Sequence, residues 1–203
     1  MKTYLKTILC FSALGLLTAP AHAADAPSGF FFKPTVGADY QYTGVNYESN
    51  LFGTGVSGSD LASESLNGVN VHVGARVHKY LGFEAGYLWT DNADKSNILG
   101  TGLDSKVNVK GFNFDVLGYL PVDDAGKFEL IGTVGVSRLK ASFSIPTIGS
   151  TDDTETKGRF GGGAQYWLTD NINVRGLVRY QGADFGGTVK DAVTANLGLN
   201  FQF

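Results

Sequence analysis

The 203 residues carry 16 Lys and Arg against 19 Asp and Glu, with 28 glycines and one cysteine. That length suits one domain, and the net charge of −3 argues against a nucleic-acid binder. Beyond the N-terminal segment no long apolar run occurs, which excludes a helical membrane protein.

Lys2 and Lys6 form a basic start, Ile8 to Leu17 an apolar stretch, and Ala21-His22-Ala23 an A-x-A cleavage pattern. The apolar stretch is too short for a membrane anchor, which needs about 20 residues. Residues 1–23 are therefore expected to be a cleaved signal peptide, and residues 24–203 the mature domain. Cys10 lies inside the signal and lacks the Leu-small-small run of a lipoprotein, so the mature chain has no thiol or disulfide chemistry. Losing Lys2 and Lys6 leaves 14 Lys and Arg against 19 Asp and Glu, a net charge of −5. A β-rich exported protein remains.

The first predicted strand is Phe30 to Tyr42. Phe32, Pro34, Val36, Ala38, Tyr40 and Tyr42 share one face, and Lys33, Thr35, Gly37, Asp39 and Gln41 the other. A Gly/Ser/Asn-rich connection is expected from Thr43 to Leu66. The second strand, Asn67 to His78, alternates Val69, Val71, Val73, Ala75 and Val77 with Asn70, His72, Gly74 and Arg76. After a tight turn near Lys79–Gly82, the third strand sets Phe83, Ala85, Tyr87 and Trp89 against Glu84, Gly86 and Leu88. A second long loop runs from Asp91 to Asp104.

The fourth strand, Lys106 to Leu120, places Phe112, Phe114, Val116 and Leu120 opposite Asn113, Asp115 and Tyr119. Val107 and Val109 are out of phase with Phe112, which suggests a bulge near Gly111 or a strand end rising above a bilayer. Pro121 to Gly126 is a turn by composition. The fifth strand, Lys127 to Ser142, directs Leu130, Val134 and Val136 one way and Glu129, Thr133 and Ser137 the other, while Ile131 and Arg138 fit poorly. A third loop is expected from Phe143 to Thr156. The sixth strand, Lys157 to Leu168, opposes Phe160, Gly162, Ala164 and Tyr166 to Arg159, Gly161, Gly163 and Gln165. Thr169-Asp170-Asn171 turns into the seventh, Ile172 to Gln181, where Ile172, Val174, Val178 and Tyr180 oppose Asn173, Arg175, Arg179 and Gln181. A short loop, Gly182 to Thr188, precedes the last strand.

In that last strand Val193, Ala195, Leu197, Leu199, Phe201 and Phe203 alternate with Ala192, Thr194, Asn196, Gly198, Asn200 and Gln202. Asn196-x-Gly198-x-x-Phe201-x-Phe203 resembles the C-terminal signal by which outer-membrane β-barrels are recognised for assembly. Connections alternate long and short, the pattern of an outer-membrane barrel with short periplasmic turns and longer extracellular loops. The expected fold is thus all-β, an eight-stranded antiparallel up-and-down transmembrane β-barrel in the bacterial outer membrane, with both termini periplasmic.

A soluble lipocalin-type barrel also has eight antiparallel strands, but with an apolar interior. Here the charged face is too rich in glycine for a simple solvated surface. Lys33, Asp39, Arg76, Glu84, Asp115, Glu129, Arg159, Arg175 and Arg179 share it with Gly37, Gly74, Gly86, Gly161, Gly163 and Gly198. A narrow lumen needs that mixture, glycine for room and long charged side chains in pairs. The apolar face carries aromatics near both strand ends, Phe32, Phe128, Tyr166, Phe201 and Phe203 at one level and Tyr40, Tyr42, Trp89, Phe112 and Tyr180 at the other. Such girdles meet lipid headgroups.

The chain is similar to the small eight-stranded outer-membrane barrels, the transmembrane domain of outer membrane protein A and its relatives. The resemblance rests on Phe31 to Tyr40, Leu81 to Tyr87 and Gly161 to Asn171, and the pattern spans the mature chain. Nothing follows Phe203, so the peptidoglycan-binding domain of full-length outer membrane protein A, and wall anchoring with it, are not expected. The resemblance implies contact with outer-membrane lipids, lipopolysaccharide and the barrel-assembly machinery. It leaves room for an extracellular ligand on the loops, and no nucleic acid.

Some similar small barrels modify lipid A, which needs a base within reach of a nucleophile. The mature chain offers only His72, facing inward, and His78, at a periplasmic turn, the wrong end for outer-leaflet lipid A. No enzyme is expected. Asp152-Asp153-x-Glu155 lacks the fixed spacing and turn glycine of a calcium loop, and a solvated acidic loop accounts for it. Gly161-Gly162-Gly163 has no following Lys-Ser/Thr and no helix, so it is not a phosphate loop. No metal or cofactor is expected. The function expected is a structural or surface-interaction role, in adhesion or envelope integrity, with a plugged polar interior. The alternative is a narrow low-conductance pore.

Overall fold

Alternation of period two, with bulky β-branched or aromatic residues on one face, drives nearly the whole chain into strands. The computed structural model describes residues 29–48, 57–98, 101, 103–145, 149–182 and 189–203. The expected signal peptide lies outside them, as do residues 183–188 of the last loop. The elements are β1 (Lys33–Tyr47), α1 (Gly58–Leu61), β2 (Ser65–His78), β3 (Leu81–Thr90), β4 (Ala93–Lys95), β5 (Ser105–Pro121), β6 (Phe128–Ile145), β7 (Gly149–Trp167), β8 (Ile172–Gly182) and β9 (Val189–Gln202).

Each long strand pairs antiparallel with its neighbours, β3 passes to β5, and β9 pairs with β1 to close the ring. Eight strands make the barrel. The short β4 is extra to that ring and continues along the edge of β5 beyond β3. Closure leaves no open edge among the ring strands, the requirement for a sheet whose outer face meets lipid.

The connections at one end are short. Lys79-Tyr80 joins β2 to β3. Between β5 and β6 the Asp123 carboxylate accepts from the backbone N–H of Lys127 at 3.1 Å and Phe128 at 2.8 Å. Gly126 supplies the left-handed residue there, with φ 62°. Between β7 and β8 the Thr169 hydroxyl accepts from the N–H of Ile172 at 2.9 Å. The opposite end is taller than the sequence pattern predicts. The expected first loop begins as strand, since β1 continues through Tyr47 and β2 starts at Ser65. Within it, Ser57 and Asp60 form a capping box that starts the single turn α1. Of the stretch Phe143–Thr156, expected as a loop, residues 143–145 and 149–156 are paired strand, with β6 and β7 in register out to Ile145↔Gly149. Its Gly, Ser, Thr and Asp content imitates a loop because both faces of a strand above a bilayer meet water.

The anticipated bulge near Gly111 is absent. The β5–β6 register runs unbroken from Lys106↔Ser144 to Pro121↔Glu129. Val107 and Val109 lie on the inward face, in phase with Asn113 and Asp115. The misfits of β6 also resolve, for Ile131 is buried inside and Arg138 is exposed outside. Register shifts occur instead at Asn46/Tyr47 and Arg76/His78.

Burial is inverted relative to a soluble protein. Val134 is 60% exposed and Leu199 56%, whereas Arg175 is 1% exposed and Asp115 0%. An apolar belt outside and charges inside exclude the lipocalin arrangement. Phe32, Phe128, Tyr166, Phe201 and Phe203 are exposed toward the short-turn end, and Tyr40, Trp89, Phe112 and Tyr180 toward the other.

Candidate functional site

The inward positions stack as layers along the lumen. Nearest the short turns, the Arg76 guanidinium meets Glu129 through two hydrogen bonds, Nη2 to Oε1 at 2.7 Å and Nη1 to Oε2 at 3.2 Å. That forked geometry suits an arginine–carboxylate pair. The indole of Trp167 donates to the same carboxylate at 3.2 Å, and Arg76 stands 4.3 Å over the Tyr119 ring. Leu117, Tyr119, Ile131, Trp167 and Leu177 pack as a buried apolar cluster in this region.

The middle layer is a linked ionic cluster. Arg175 Nη2 donates to Glu84 at 2.9 Å, and Arg179 lies 3.6 Å from Glu84 and 3.2 Å from Asp115. Arg159 donates through Nε to Asp115 at 2.8 Å and through Nη2 to Asn113 at 2.9 Å. Asp39 lies 3.2 Å from His72 Nε2 and accepts from Asn70 at 3.2 Å. Four guanidiniums therefore share the lumen with four carboxylates. Buried charges of this kind persist only when paired and hydrogen-bonded, because desolvation penalises each separately.

Eight of the nine residues expected in the lumen are buried there, and seven of them join the arginine–carboxylate pairs. Asp39 is the eighth. Lys33 is the exception, half-buried at the start of β1 with its ammonium 5.4 Å from the Phe31 ring. It is the first inward position of its strand, at the barrel rim, and does not reach the buried set.

Close backbone approach explains Gly161 and Gly163. A Cβ on Gly163 would stand 1.8 Å from the Gly176 carbonyl, and one on Gly161 2.2 Å from that of Val178. Gly161 and Gly163 accordingly make room between β7 and β8, while a Cβ on Gly162 would stand 3.1 Å from the Ile131 carbonyl of β6. The C-terminal residues divide between faces. Asn196 is buried inside, donating to Gln41 at 2.8 Å, and Gly198 lies opposite both Asp39 and Arg175. Phe201 and Phe203 point outward, edge to face at 4.8 Å.

Above the ionic layer opens a chamber of about 460 Å³. Its base is Gln41, Arg159 and Arg179, and its walls include Val45, Tyr47, Leu61, Val107, Ala141 and Phe143. The α1 turn is tied across one side, with Lys95 Nζ donating to the Ser59 carbonyl at 2.7 Å and the Ser105 hydroxyl to that of Leu61 at 2.6 Å. Burial raises the pKa of the Tyr47 hydroxyl, which stays neutral and donates to the Ser63 carbonyl at 2.7 Å. In the sequence the chamber shows only as the phase of Val107 and Val109, apolar residues on an otherwise polar face.

The acidic run does not converge on one point. Asp152 faces outward and pairs with Lys140 at 2.6 Å, whose hydrogen bond holds its carboxyl below the usual carboxylate range. Asp153 and Glu155 have the opposite parity in β7, and Glu155 lies 3.4 Å from Lys157. Among the described residues no three His, Cys, Asp or Glu gather as a metal site. No hydroxyl among those residues hydrogen-bonds either histidine; His78 instead accepts from the Tyr80 N–H at 3.3 Å.

The family described as "Outer membrane protein beta-barrel domain" matches residues 9–203. The chain belongs to that family of outer-membrane barrels. A search of curated protein sequences finds no match. Among solved structures this barrel is similar to Ail, the attachment invasion locus protein of Yersinia pestis, at 16% identity over 85% of this chain and 99% of Ail, with a TM-score of 0.56. Neisserial surface protein A shares 17% identity over 85% and 97% of the two chains, with a TM-score of 0.53. OprG from Pseudomonas aeruginosa shares 13% over 88% and 99%, with a TM-score of 0.56. At such identities the likeness is one of fold. Membership of that family makes the chain an integral protein of the bacterial outer membrane.

Proposed function

We propose that this outer-membrane barrel is a non-enzymatic stake, its lumen plugged by paired charges and its tall end presented outside the cell for surface interaction or envelope integrity. The ionic cluster of Glu84, Asp115, Arg159, Arg175 and Arg179 carries the reading, since it spans the lumen with side chains that have almost no contact with solvent. Both termini lie in the periplasm with the short turns. The apolar belt meets outer-membrane lipids and lipopolysaccharide, and Asn196, Gly198, Phe201 and Phe203 serve the barrel-assembly machinery as its recognition signal. Nucleic acid is no partner.

Adhesion draws support from the name of Ail, an attachment protein of similar fold. Its polyanionic ligand, the heparin analogue sucrose octasulfate, does not transfer. The tall end here carries Glu48, Asp60, Glu64 and Asp153, which disfavour a sulfated partner, while Asp94 and Asp152 are paired with Lys106 and Lys140.

Planar-bilayer recording tests the plug. A closed baseline is the expected outcome, and steady single-channel conductance altered by Arg175→Ala would establish the narrow pore in its place. Orientation is tested by proteolysis of intact cells, with cleavage expected within residues 48–64. Cleavage confined to Pro121–Gly126 would invert the topology.

A further inference from the structure

We infer that the outer flank of β5 and β6 at the tall end holds the phosphorylated headgroup of an outer-leaflet glycolipid of the lipid A kind, through Lys110, Arg138 and Lys140. Strand register brings the three cations together. One row across β3, β5, β6 and β7 runs Trp89, Lys110, Lys140 and Thr154. The row beneath it, nearer the short turns, runs Tyr87, Phe112, Arg138 and Thr156. These positions share the outward parity of Phe114 and Val136, so both rows face away from the lumen. They contain three cations and no carboxylate.

Like charges set directly opposite on paired strands repel, and Lys110 faces Lys140 in that way. Asp152, from the row above, bonds Lys140 at 2.6 Å. The next pair up, Lys106 with Asp94 at 3.5 Å, is complete in itself. Asp91, at the exit of β3, has its N–H bonded to the Asn67 carbonyl of β2. Asp153 and Glu155 have the inward parity. Among the described residues Lys110 and Arg138 have no carboxylate within salt-bridge distance. The patch therefore keeps two positive charges unmatched. Its depth identifies the occupant. Tyr87 and Phe112, edge to face at 4.8 Å, and Trp89 belong to the aromatic girdle of this end, the level of lipid headgroups. A phosphate there meets two ammonium groups and a guanidinium able to grip two of its oxygens. The exposed Thr154 and Thr156 hydroxyls stand beside them for sugar hydroxyls. A headgroup with two phosphates answers both unmatched charges, which a singly charged phospholipid does not.

The inference rests on the outward placement of the tall end, which puts this flank in the outer leaflet, and surface proteolysis tests that placement separately. Binding is read where no leaflet exists, by native mass spectrometry of the barrel in maltoside micelles titrated with lipid A of fixed acyl composition. Affinity is expected to fall from bisphosphorylated through monophosphorylated to dephosphorylated lipid A, by about tenfold or more across the series. Inorganic phosphate is expected not to displace the lipid. Lys110→Gln with Arg138→Gln is expected to bring bisphosphorylated lipid A down to the dephosphorylated level. Lys79→Gln with Lys127→Gln, which removes the same charge at the short turns, is expected to leave it unchanged. The phosphate series on the unaltered protein decides the matter even where a double variant folds poorly. Affinity indifferent to the phosphates, or equal loss from the two double variants, would overturn the inference. So would displacement by inorganic phosphate, or competition by phosphatidylglycerol equal to that by lipid A.

Discussion

Arg175 and Glu84 face each other at 2.9 Å with both side chains wholly buried. Neither charge is tolerable alone at that depth, and together they are stable only because Arg179 and Asp115 complete the cluster. Arg175→Met is therefore expected to destabilise the barrel by about 3–5 kcal/mol, the cost of stranding a buried carboxylate. The double variant Arg175→Met with Glu84→Gln is expected to recover part of that loss. Urea unfolding in micelles, followed by heat-modifiable migration, measures both. Losses that simply add would mean the two residues act independently. At this scale the sequence was a good guide to which residues turn inward, because parity alone decides it. It was a poor guide to who pairs with whom. Arg76 and Glu129 are 53 positions apart, and only the registers of the closed ring bring them level.

Strand existence was legible wherever one face met lipid and the other the lumen, and strand length was not. The β6–β7 hairpin shows why, since beyond the apolar belt its two faces both meet water and the alternation that marks a strand disappears. The same limit hid the chamber, whose inward apolar residues Val107 and Val109 read as a phase error. Glycines show a further difference between elements that composition conceals. Gly163 lies where a Cβ would collide with the Gly176 backbone, whereas Gly132 has nothing within 4 Å. Gly163→Ala is expected to cost about 1–3 kcal/mol through forced backbone shifts. Gly132→Ala is expected to be neutral or to stabilise by about 0.4–1 kcal/mol through the unfolded chain. Paired unfolding midpoints check this, and equal effects would refute the close-approach account of the β7–β8 contact.

Closure of the whole ring depends on the last strand meeting the first, Val36 opposite Phe201 and Thr35 opposite Gln202, with the Phe203 N–H donating to the Pro34 carbonyl at 3.0 Å. In lipid an unclosed edge leaves unpaired backbone groups, so a barrel is formed completely or not at all. The Phe203 side chain adds little to the finished object. It is 68% exposed, and among the described residues its ring packs edge to face on Phe201 at 4.8 Å, a pairing worth about 0.5–1.5 kcal/mol. Under the proposed assembly signal, however, the same ring is what the machinery recognises before closure. Phe203→Ala is then expected to refold into detergent micelles with nearly unaltered yield while its heat-modifiable form falls several-fold in outer-membrane fractions of cells. Leu199→Ala, a lipid-facing change in the same strand outside the motif, serves as the comparison and is expected to lower both yields alike. Equal losses in micelles and in cells for Phe203→Ala would remove the signal and leave the terminal aromatic a girdle residue only.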